Sequence, residues 1–332
     1  MPERSLIDQA RKAAERLLAD LEQGRLASRD WTDQELADAW VEEAFARCLP
    51  TLAAAGCWGE ANRIPSSEFW RTAETLLAKG VLQHRARFKP RGYAGDYELL
   101  DWICTGHCCE DPLGSAFDRY FQRQAAPQAV RGRTEQAAAA IVVHCLESAA
   151  DPYCVASVGS GPGADLFRAA SLLPSQHRRR LRMNLLDLDP DALEFANRRL
   201  ENLLPAEAVQ CRRENLFRLA KCKNVAAVLG SPHALICSGL FDYLDDDAAR
   251  EMLGMFWRQL AEGGLLLVSN FAPHNPTRAY MEWIGSWHLL YRTAEQMCQL
   301  GLAAGIPQNQ FHIDSEPMGV DLVLVAQKRA PS

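Results

Sequence analysis

The chain of 332 residues lacks the long uninterrupted apolar run that a signal peptide or a membrane-spanning helix requires. Its first residues, MPERSLIDQARKAAERLL, instead place charges among the apolar positions at helical spacing. An excess of positive charge is also missing, because the formal net charge is -6. Nothing in the composition therefore draws the protein to nucleic acid or to an anionic membrane. We expect a cytoplasmic protein whose partner is a small-molecule substrate.

The sequence also lacks the cysteine spacing of secreted disulfide-bonded domains and of zinc fingers. Its 11 cysteines are scattered through predicted core elements, as is typical of reduced thiols. Four possible ligands stand together in CTGHCCED, namely Cys104, His107, Cys108 and Cys109. Adjacent cysteines rarely reach one tetrahedral ion, and no second pair follows at finger spacing, so we predict no metal site.

Strand-like alternation is missing from the first third of the chain, where the periodicity is helical. One apolar stripe comprises Leu6, Ala10, Ala13, Leu17 and Leu21, and a second comprises Leu36, Trp40, Ala44 and Cys48. Asp30 or Thr32 is expected to cap the second helix, with Glu35 completing a capping box. Helix ends are expected at Gly24, Gly56 and Gly80. We predict a helical domain over residues 1–135.

After Gln136 the pattern changes to apolar strands that alternate with helices, which predicts a mostly parallel sheet. Strands are expected at Cys154 to Val158, Arg182 to Asp187, Glu207 to Arg212, Ala234 to Ser238, Gly264 to Asn270, Phe311 to Ser315 and Val320 to Ala326. The linker between the last two is too short for a parallel crossover, so they should form an antiparallel hairpin. The predicted fold class is α/β, with a Rossmann-like sheet over residues 136–332 behind the helical domain.

A glycine-rich turn follows the first strand in CVASVGSGPGADLF, where Gly159, Gly161 and Gly163 precede a helical pattern. Glycine lets the backbone turn sharply and approach a ligand, and the N–H groups at a helix start face whatever binds there. The second strand ends in Asp187, where a carboxylate can accept both hydroxyls of a ribose. Together these features indicate a nucleoside cofactor.

The turn alone, Gly159-x-Gly161-x-x-Ala164, also fits the dinucleotide fingerprint. Five crossover strands and a closing hairpin, however, resemble the class I S-adenosylmethionine-dependent methyltransferases, and VGSGPGAD resembles their first motif. LLDLDPDALEFA resembles their acidic second segment, which implies that Asp187 binds the ribose and that Asp189 caps a helix. The resemblance implies S-adenosylmethionine as cofactor, contacted by Gly159, Ser160, Gly161, Asp187, Leu188, Asn215 and Leu216. A helix cap is the alternative role for Asn215.

Three further stretches, KPRGYAGDYELL, CSGLFDYLDD and SNFAPHNPTRAYMEWIGSWHLLYRT, resemble the methyltransferase family associated with 3-hydroxypalmitic acid methyl ester biosynthesis. That resemblance implies a carboxylate or hydroxyl acceptor such as a hydroxy fatty acid. Azetidine-2-carboxylate synthases also resemble methyltransferases of this type, and they close the aminobutyryl arm of S-adenosylmethionine upon itself. Methylation and this cyclisation, a reaction of secondary metabolism, therefore both stay open.

Both reactions start from a sulfonium cation, which aromatic faces can attract. Tyr93 and Tyr97 in GYAGDYE are candidates for this catalytic role, and packing of the loop onto the core is the alternative. Asp96 is expected either to bind the amino group of the cofactor or to cap a helix at Tyr97. GYAGDYE is thus the segment of the helical domain that we expect to cover the cofactor.

The carboxylate of the cofactor needs a cation, for which Arg131 and Arg133 are candidates, with Arg133 preferred. Ser238, Gly239 and Leu240 follow the fourth strand, at the edge where open parallel sheets bind ligands. Asp242 and Tyr243 are expected to gate this edge.

A substrate lid is predicted over residues 271–296. Trp283, Trp287 and Tyr291 recur at helical spacing, which is typical of core but would also suit a fatty tail. His274 and Glu282 are the acid–base candidates, Asn270 should point to the substrate, and Arg292 is expected to hold its carboxylate.

The sequence thus predicts a class I methyltransferase that acts on a small carboxylate or hydroxyl acceptor. The alternatives are the cyclase, which would release methylthioadenosine, and a non-catalytic sensor of S-adenosylmethionine that binds a protein partner.

Overall fold

The computed structural model of the protein describes residues 2–219 and 225–329. The chain divides into two compact units, and each consists of two separate stretches of sequence. Unit 1 holds Met1–Gln128 and Asn275–Leu289, and unit 2 holds Ala129–His274 and Leu290–Ser332. The boundary expected after residue 135 lies inside helix α7, Ala125–Glu147.

Unit 1 is helical. Its helices are α1 (Pro2–Ala27), α2 (Gln34–Ala54), α3 (Arg63–Leu77), α4 (Val81–Phe88), α5 (Tyr97–Thr105) and α6 (Pro112–Gln122). A short 3-10 turn, Gly59–Asn62, precedes α3, and the stretch that returns to this unit forms a π-helical turn, Tyr280–Ile284. The chain breaks its helical course between Phe88 and Tyr97, as Pro90 and Gly92 require. None of the helices in the described residues is long and apolar enough to cross a bilayer.

The predicted cap of α2 is wrong. Asp33 caps this helix, and its side chain accepts a hydrogen bond from the Leu36 N–H at 3.2 Å. Asp30 lies in a left-handed turn with φ 57°, and the Thr32 hydroxyl donates to the Arg29 carbonyl, so neither is placed to cap. Leu36, which was expected on the apolar stripe of this helix, is 43% exposed, while the neighbouring Ala37 is buried.

The helix end expected at Gly24 is also wrong, because α1 runs through this residue to Ala27. A methyl group at position 24 would lie only 2.7 Å from the Trp31 ring, so the glycine serves close packing. Gly56 does follow the end of α2, with φ 62°, as expected.

Aromatic rings form the centre of unit 1. The Phe45 ring lies 5.6 Å from Phe117, 4.7 Å from Tyr120 and 5.4 Å from Tyr280. Tyr280 also stacks on Phe121 at 5.1 Å. Packing of these rings fixes the π-helical turn onto α2 and α6.

Unit 2 is a seven-stranded sheet with helices. The strands are β1 (Tyr153–Val158), β2 (Leu181–Asp187), β3 (Val209–Arg213), β4 (Ala234–Cys237), β5 (Leu265–Phe271), β6 (Phe311–Ser315) and β7 (Asp321–Gln327). Its helices are α8 (Ala164–Leu172), α9 (Ser175–Arg178), α10 (Pro190–Glu201), α11 (Leu216–Leu219), α12 (Val225–Leu229), α13 (Asp246–Gln259) and α14 (Ala294–Ala303), with α7 ahead of β1.

The strand order is β3-β2-β1-β4-β5-β7-β6. Strands β1 to β5 are parallel, whereas β7 pairs antiparallel with both β5 and β6. This topology confirms the predicted α/β class and the Rossmann-like class I methyltransferase sheet with its terminal hairpin. The carboxyl ends of β1, β2 and β4 meet at one edge of the sheet, where such folds bind ligands.

The single helix implied by the spacing of Trp283, Trp287 and Tyr291 does not form. After the π-helical turn, Ser286 adopts φ 48°, and the Trp287 N–H bonds back to the Met281 carbonyl at 2.8 Å, which ends the helical course. Trp283 is 1% exposed and packs edge-on against Phe69 in unit 1. Trp287 is buried in unit 1 as well, whereas Tyr291 is half-buried in unit 2.

Candidate functional site

The glycine-rich turn leaves β1 in the conformation that its sequence predicts. Gly159, Gly161 and Gly163 have φ of 69°, 49° and 62°, a region that other residues rarely adopt. The N–H groups of Gly159 and Ser160 bond to the Leu186 carbonyl of β2, at 2.8 and 3.1 Å. The Ser160 side chain is 7% exposed, and its hydroxyl has no hydrogen-bond partner within the described part of the chain. A buried hydroxyl of this kind is expected to have a partner, which a ligand could supply.

Asp187 lies at the end of β2 and holds the turn from the other side. Its Oδ2 accepts from the Gly161 N–H at 2.8 Å, and its Oδ1 accepts from the Asp189 N–H at 3.0 Å. Burial raises the pKa of this carboxyl, against the lowering effect of these N–H groups. Two carboxylate oxygens offer about four acceptor sites, so the N–H groups leave capacity for a hydroxyl group of a ligand. Asp189 caps α10 through the Asp191 N–H, as predicted.

Three apolar side chains lie beside this turn. A methyl group at Gly159 would be 3.6 Å from Leu216 and 3.9 Å from Leu240, so the ends of β1, β3 and β4 converge here. Leu188, next to Asp187, is 42% exposed and leaves an apolar surface beside a buried carboxylate. Asn215 is exposed ahead of α11. Its assignment to adenine stays a prediction.

Arg133 of α7 lies beside the loop that follows β4. It is 7% exposed, and its Nη1 donates to Asp321 Oδ2 of β7 at 2.7 Å. Gly239 has φ 93°, and a methyl group there would lie 2.8 Å from Nη2 of Arg133. Only glycine therefore leaves room for the guanidinium at this edge. Arg131, the alternative cation, lines an open groove beside Ser315 and Pro317.

A buried network links the loop after β4 to the end of β5. Asp242 Oδ1 accepts from the Asn270 amide at 3.0 Å and from the Phe271 N–H at 2.8 Å. Asn270 Oδ1 accepts from Arg292 Nη1 at 2.5 Å, and Arg292 also donates to the carbonyls of Phe241 and Leu244. Asn270 and Arg292 thus hold the loop in place, and direct contact of either with a substrate stays a prediction.

Asp242 gives the network a defined pH dependence. Burial, together with the negative charge of Asp321, raises the pKa of Asp242 to about 7. In the unfolded chain this group ionises near its ordinary pKa of about 3.9, whereas the folded state keeps the proton to a higher pH. The free energy of unfolding therefore falls as pH rises between the two pKa values. We expect a loss of up to about 1.4 kcal/mol per pH unit between pH 4 and pH 7 from this group.

Asp242→Asn should remove this slope, because the amide keeps the acceptor and carries no charge. Unfolding by urea at several pH values measures the effect, and Asp247→Asn, an exposed carboxylate of α13, serves as the control. An unchanged slope in Asp242→Asn would show that another group titrates.

The GYAGDYE residues all lie in unit 1. Asp96 caps α5 through the Leu99 N–H at 3.0 Å and pairs with Arg85 Nε at 2.8 Å, so the capping role is confirmed. The Arg91 guanidinium covers one face of Tyr97 at 4.6 Å, which shows that this ring does attract a cation. Tyr93 is half-buried in the same loop. Contact of these residues with a sulfonium stays a prediction.

The two acid–base candidates have different surroundings. His274, at the end of its stretch of unit 2, is exposed and bonds to the Gly319 carbonyl at 2.8 Å. Glu282 belongs to unit 1 and is fully buried, and its carboxylate receives hydrogen bonds from Gly59, Arg278 and His288. Burial raises the pKa of Glu282, but these donors outweigh it and the net pKa is lowered.

Among the described residues, the cysteine-rich segment included, no three side chains of His, Cys, Asp or Glu are grouped so that they could hold a metal ion. His107 stacks on Trp102 at 5.1 Å, and the Cys109 thiol bonds to the Lys79 carbonyl.

Sequence reasoning missed two residues that contact predicted site residues, namely Asp321 beside Arg133 and His288 beside Glu282. Asp321 is 188 residues away from Arg133, so no local pattern reveals the pair. His288 could have been noticed, because a histidine stands six residues after Glu282 in a segment already identified as rich in polar and aromatic groups.

Comparisons with known proteins agree with the fold. No family model matches the chain, and no curated protein matches it. Among solved structures, a possible exported protein from Bordetella parapertussis aligns over 99% of this chain and 96% of its own, with 19% identity and a TM-score of 0.59. At that identity the likeness shows the fold alone.

Two further structures align less closely. Magnesium protoporphyrin IX methyltransferase from Synechocystis PCC 6803, with bound SAH, has 14% identity over 70% of this chain and 98% of its own, at a TM-score of 0.45. The pyocyanin biosynthetic protein PhzM has 15% identity over 95% of this chain and 99% of its own, at a TM-score of 0.46. Both TM-scores are too low to support an argument about this chain.

Proposed function

We propose that the protein is an S-adenosylmethionine-dependent methyltransferase that acts on a small carboxylate or hydroxyl acceptor, such as a hydroxy fatty acid. One observation carries the proposal: a glycine turn and a buried carboxylate meet at adjacent strand ends, joined by the Gly161–Asp187 hydrogen bond of 2.8 Å. This is the edge of the sheet at which the fold binds nucleosides.

The residues present fit the cofactor. Asp187 has acceptor sites for ribose hydroxyls, the exposed Leu188 suits an adenine face, and Ser160 supplies an unpartnered hydroxyl. Arg133, held beside Gly239, suits the carboxylate of the aminobutyryl arm. When bound, S-adenosylmethionine supplies an electrophilic methyl group on a positively charged sulfur. The protein has to align an acceptor with that methyl group and exclude water.

Incubation of the purified protein with S-adenosylmethionine, with and without 3-hydroxydecanoate, tests the reaction by mass analysis of the nucleoside product. S-adenosylhomocysteine that appears only with the acceptor supports methyl transfer. Methylthioadenosine formed without an acceptor contradicts methyl transfer and supports cyclisation to azetidine-2-carboxylate. Tight cofactor binding with neither product supports a sensor.

Asp187→Ala should weaken binding of S-adenosylhomocysteine by about 1.5 to 3 kcal/mol, because a hydrogen bond to a charged group has this value. Isothermal titration calorimetry measures the change. Asp191→Ala, an exposed carboxylate in the first turn of α10, is the matched control and should bind nearly as the wild type does. Equal affinity in wild type and Asp187→Ala would remove this residue from the cofactor site.

A further inference from the structure

The first residue of β7 is a carboxylate that lies at the ligand edge of the sheet in unit 2. Because β7 runs antiparallel to β5, it starts where β5 ends, and Asp321 pairs in register with Phe271. The loop that follows β4 leaves the sheet at the same edge, since β4 and β5 are parallel neighbours. The closing hairpin therefore brings an acidic side chain to the edge where folds of this kind bind ligands.

Glu316 fixes the backbone of Asp321. Its Oε1 accepts from the Val320 N–H at 2.8 Å and from the Asp321 N–H at 3.0 Å, within the turn that joins β6 to β7. The Asp321 carbonyl accepts from the Glu316 N–H at 3.3 Å. A methyl group on Gly132 would lie 3.1 Å from Cβ of Glu316, so α7 packs directly against this turn. The hairpin turn therefore sets the place of Asp321 relative to α7.

The Asp321 carboxylate orients Arg133, which projects from α7. The carboxylate is fully buried, and its Oδ2 accepts from Nη1 of Arg133 at 2.7 Å. Its Oδ1 has no hydrogen-bond partner among the described residues, so the buried charge depends on Arg133 for compensation. The guanidinium also lies over the Phe271 ring at 5.7 Å. Its Nη2 reaches the loop after β4, where a methyl group at Gly239 would lie only 2.8 Å away.

We infer that Asp321 is a positioning residue, which holds Arg133 ready for the carboxylate of the aminobutyryl arm and so makes the site selective for nucleosides with an intact amino-acid end. This inference rests on the proposed function. A guanidinium carries five N–H donors, more than one carboxylate can use, so Arg133 can bond to Asp321 and to a ligand at the same time. An arginine that is already fixed loses less conformational freedom when the ligand binds, which raises affinity.

Calorimetric titration with three nucleosides tests this selectivity without any turnover. S-adenosylhomocysteine carries the complete arm, S-adenosyl-3-thiopropylamine lacks only the carboxylate, and methylthioadenosine lacks the whole amino-acid end. The wild type should bind S-adenosylhomocysteine about 10-fold or more tightly than the decarboxylated compound, because a hydrogen bond to a charged group contributes at least this much.

Asp321→Asn removes the charge that orients Arg133 and keeps the shape of the side chain. It should bind S-adenosylhomocysteine about 10-fold more weakly, while the affinities for the other two nucleosides change by less than about twofold. A residue that only supports the fold would not separate the ligands in this way. Asp314→Asn is the matched control, because Asp314 also joins the hairpin to α7, through Gln136 at 3.0 Å, but is exposed. This control should bind all three nucleosides as the wild type does.

Arg133→Lys carries the same test should Asp321→Asn fail to fold. Lysine keeps the positive charge, but its single terminal nitrogen on a flexible stem lacks the rigid fork that joins Asp321 to the loop after β4. The variant should therefore lose affinity for S-adenosylhomocysteine and keep its affinity for the two nucleosides that have no carboxylate.

The outcomes separate this inference from the proposed function. Equal binding of S-adenosylhomocysteine and the decarboxylated compound by the wild type overturns the inference and leaves the methyltransferase proposal intact. Unchanged preference in Asp321→Asn, an equal loss for all three nucleosides, or full preference in Arg133→Lys does the same. A wild type that binds none of the three overturns both. Selective loss of S-adenosylhomocysteine affinity, with Asp314→Asn unchanged, supports the inference.

Discussion

Arg133→Met should lower the free energy of unfolding of unit 2 by about 3 to 5 kcal/mol, the usual cost of removing one partner of a buried ion pair. Asp321 is fully buried and bonds to Arg133 at 2.7 Å, so the variant leaves its carboxylate without a counter-charge. Burial already raises the pKa of Asp321, and Arg133 opposes that rise. Without Arg133 the penalty should therefore be larger at pH 8 than at pH 5, where the carboxyl can hold its proton.

Urea unfolding at both pH values measures this effect, and the double variant Arg133→Met/Asp321→Leu is its control. Two apolar side chains in place of a buried pair are often neutral or stabilising, so the double variant should regain most of the loss. A single variant as stable as the wild type at pH 8 would contradict the pairing. Both variants should bind S-adenosylhomocysteine more weakly, because both lack the guanidinium beside Gly239.

Phe45→Ala should destabilise unit 1 by about 3 to 5 kcal/mol, because it removes a fully buried ring from the centre of an aromatic cluster. Phe117, Tyr120 and Tyr280 each lose a ring contact in this variant. Since Tyr280 opens the turn that carries Glu282, the loss should also loosen that turn.

Thermal and urea unfolding followed by helical circular dichroism measure the change. Leu36→Ala lies on the same helix with its side chain 43% exposed, and it should alter stability by less than about 0.5 kcal/mol. Similar losses in the two variants would show that the cluster does not carry the stability of unit 1.

Most of the sheet could be predicted from the sequence because strands β1, β4, β5 and β7 are short apolar runs that are buried on both faces. The strand β2 begins one residue before its predicted start and ends, as expected, at Asp187. The short linker between β6 and β7 fixed their antiparallel pairing in the same way. Gly159, Gly161 and Asp187 could be found because each directly follows or ends an apolar strand that the local sequence predicts.

Other features depend on contacts that no local pattern contains. The cap of α2 was misassigned because Arg29, Asp30 and Trp31 adopt positive φ ahead of Asp33. Residues other than glycine rarely adopt this conformation, so the sequence does not predict it. The Arg133–Asp321 pair and the Gly59–Glu282 bond join residues far apart in the chain. The spacing of Trp283 and Trp287 suggested a continuous helix, but Gly285 and Ser286 end it.

Unit 1 includes the stretch Asn275–Leu289, which the ribosome makes only after residues 129–274 have emerged. The aromatic cluster of unit 1 is therefore complete only after most of the sheet has been synthesised, when Tyr280 can pack against Phe45 and Phe121. A fragment that stops at Gln128 lacks this aromatic partner, and it should be expressed as a partly open, aggregation-prone bundle. Removal of unit 1 requires three breaks in the chain, one after Gln128 and one at each end of Asn275–Leu289, rather than a single truncation.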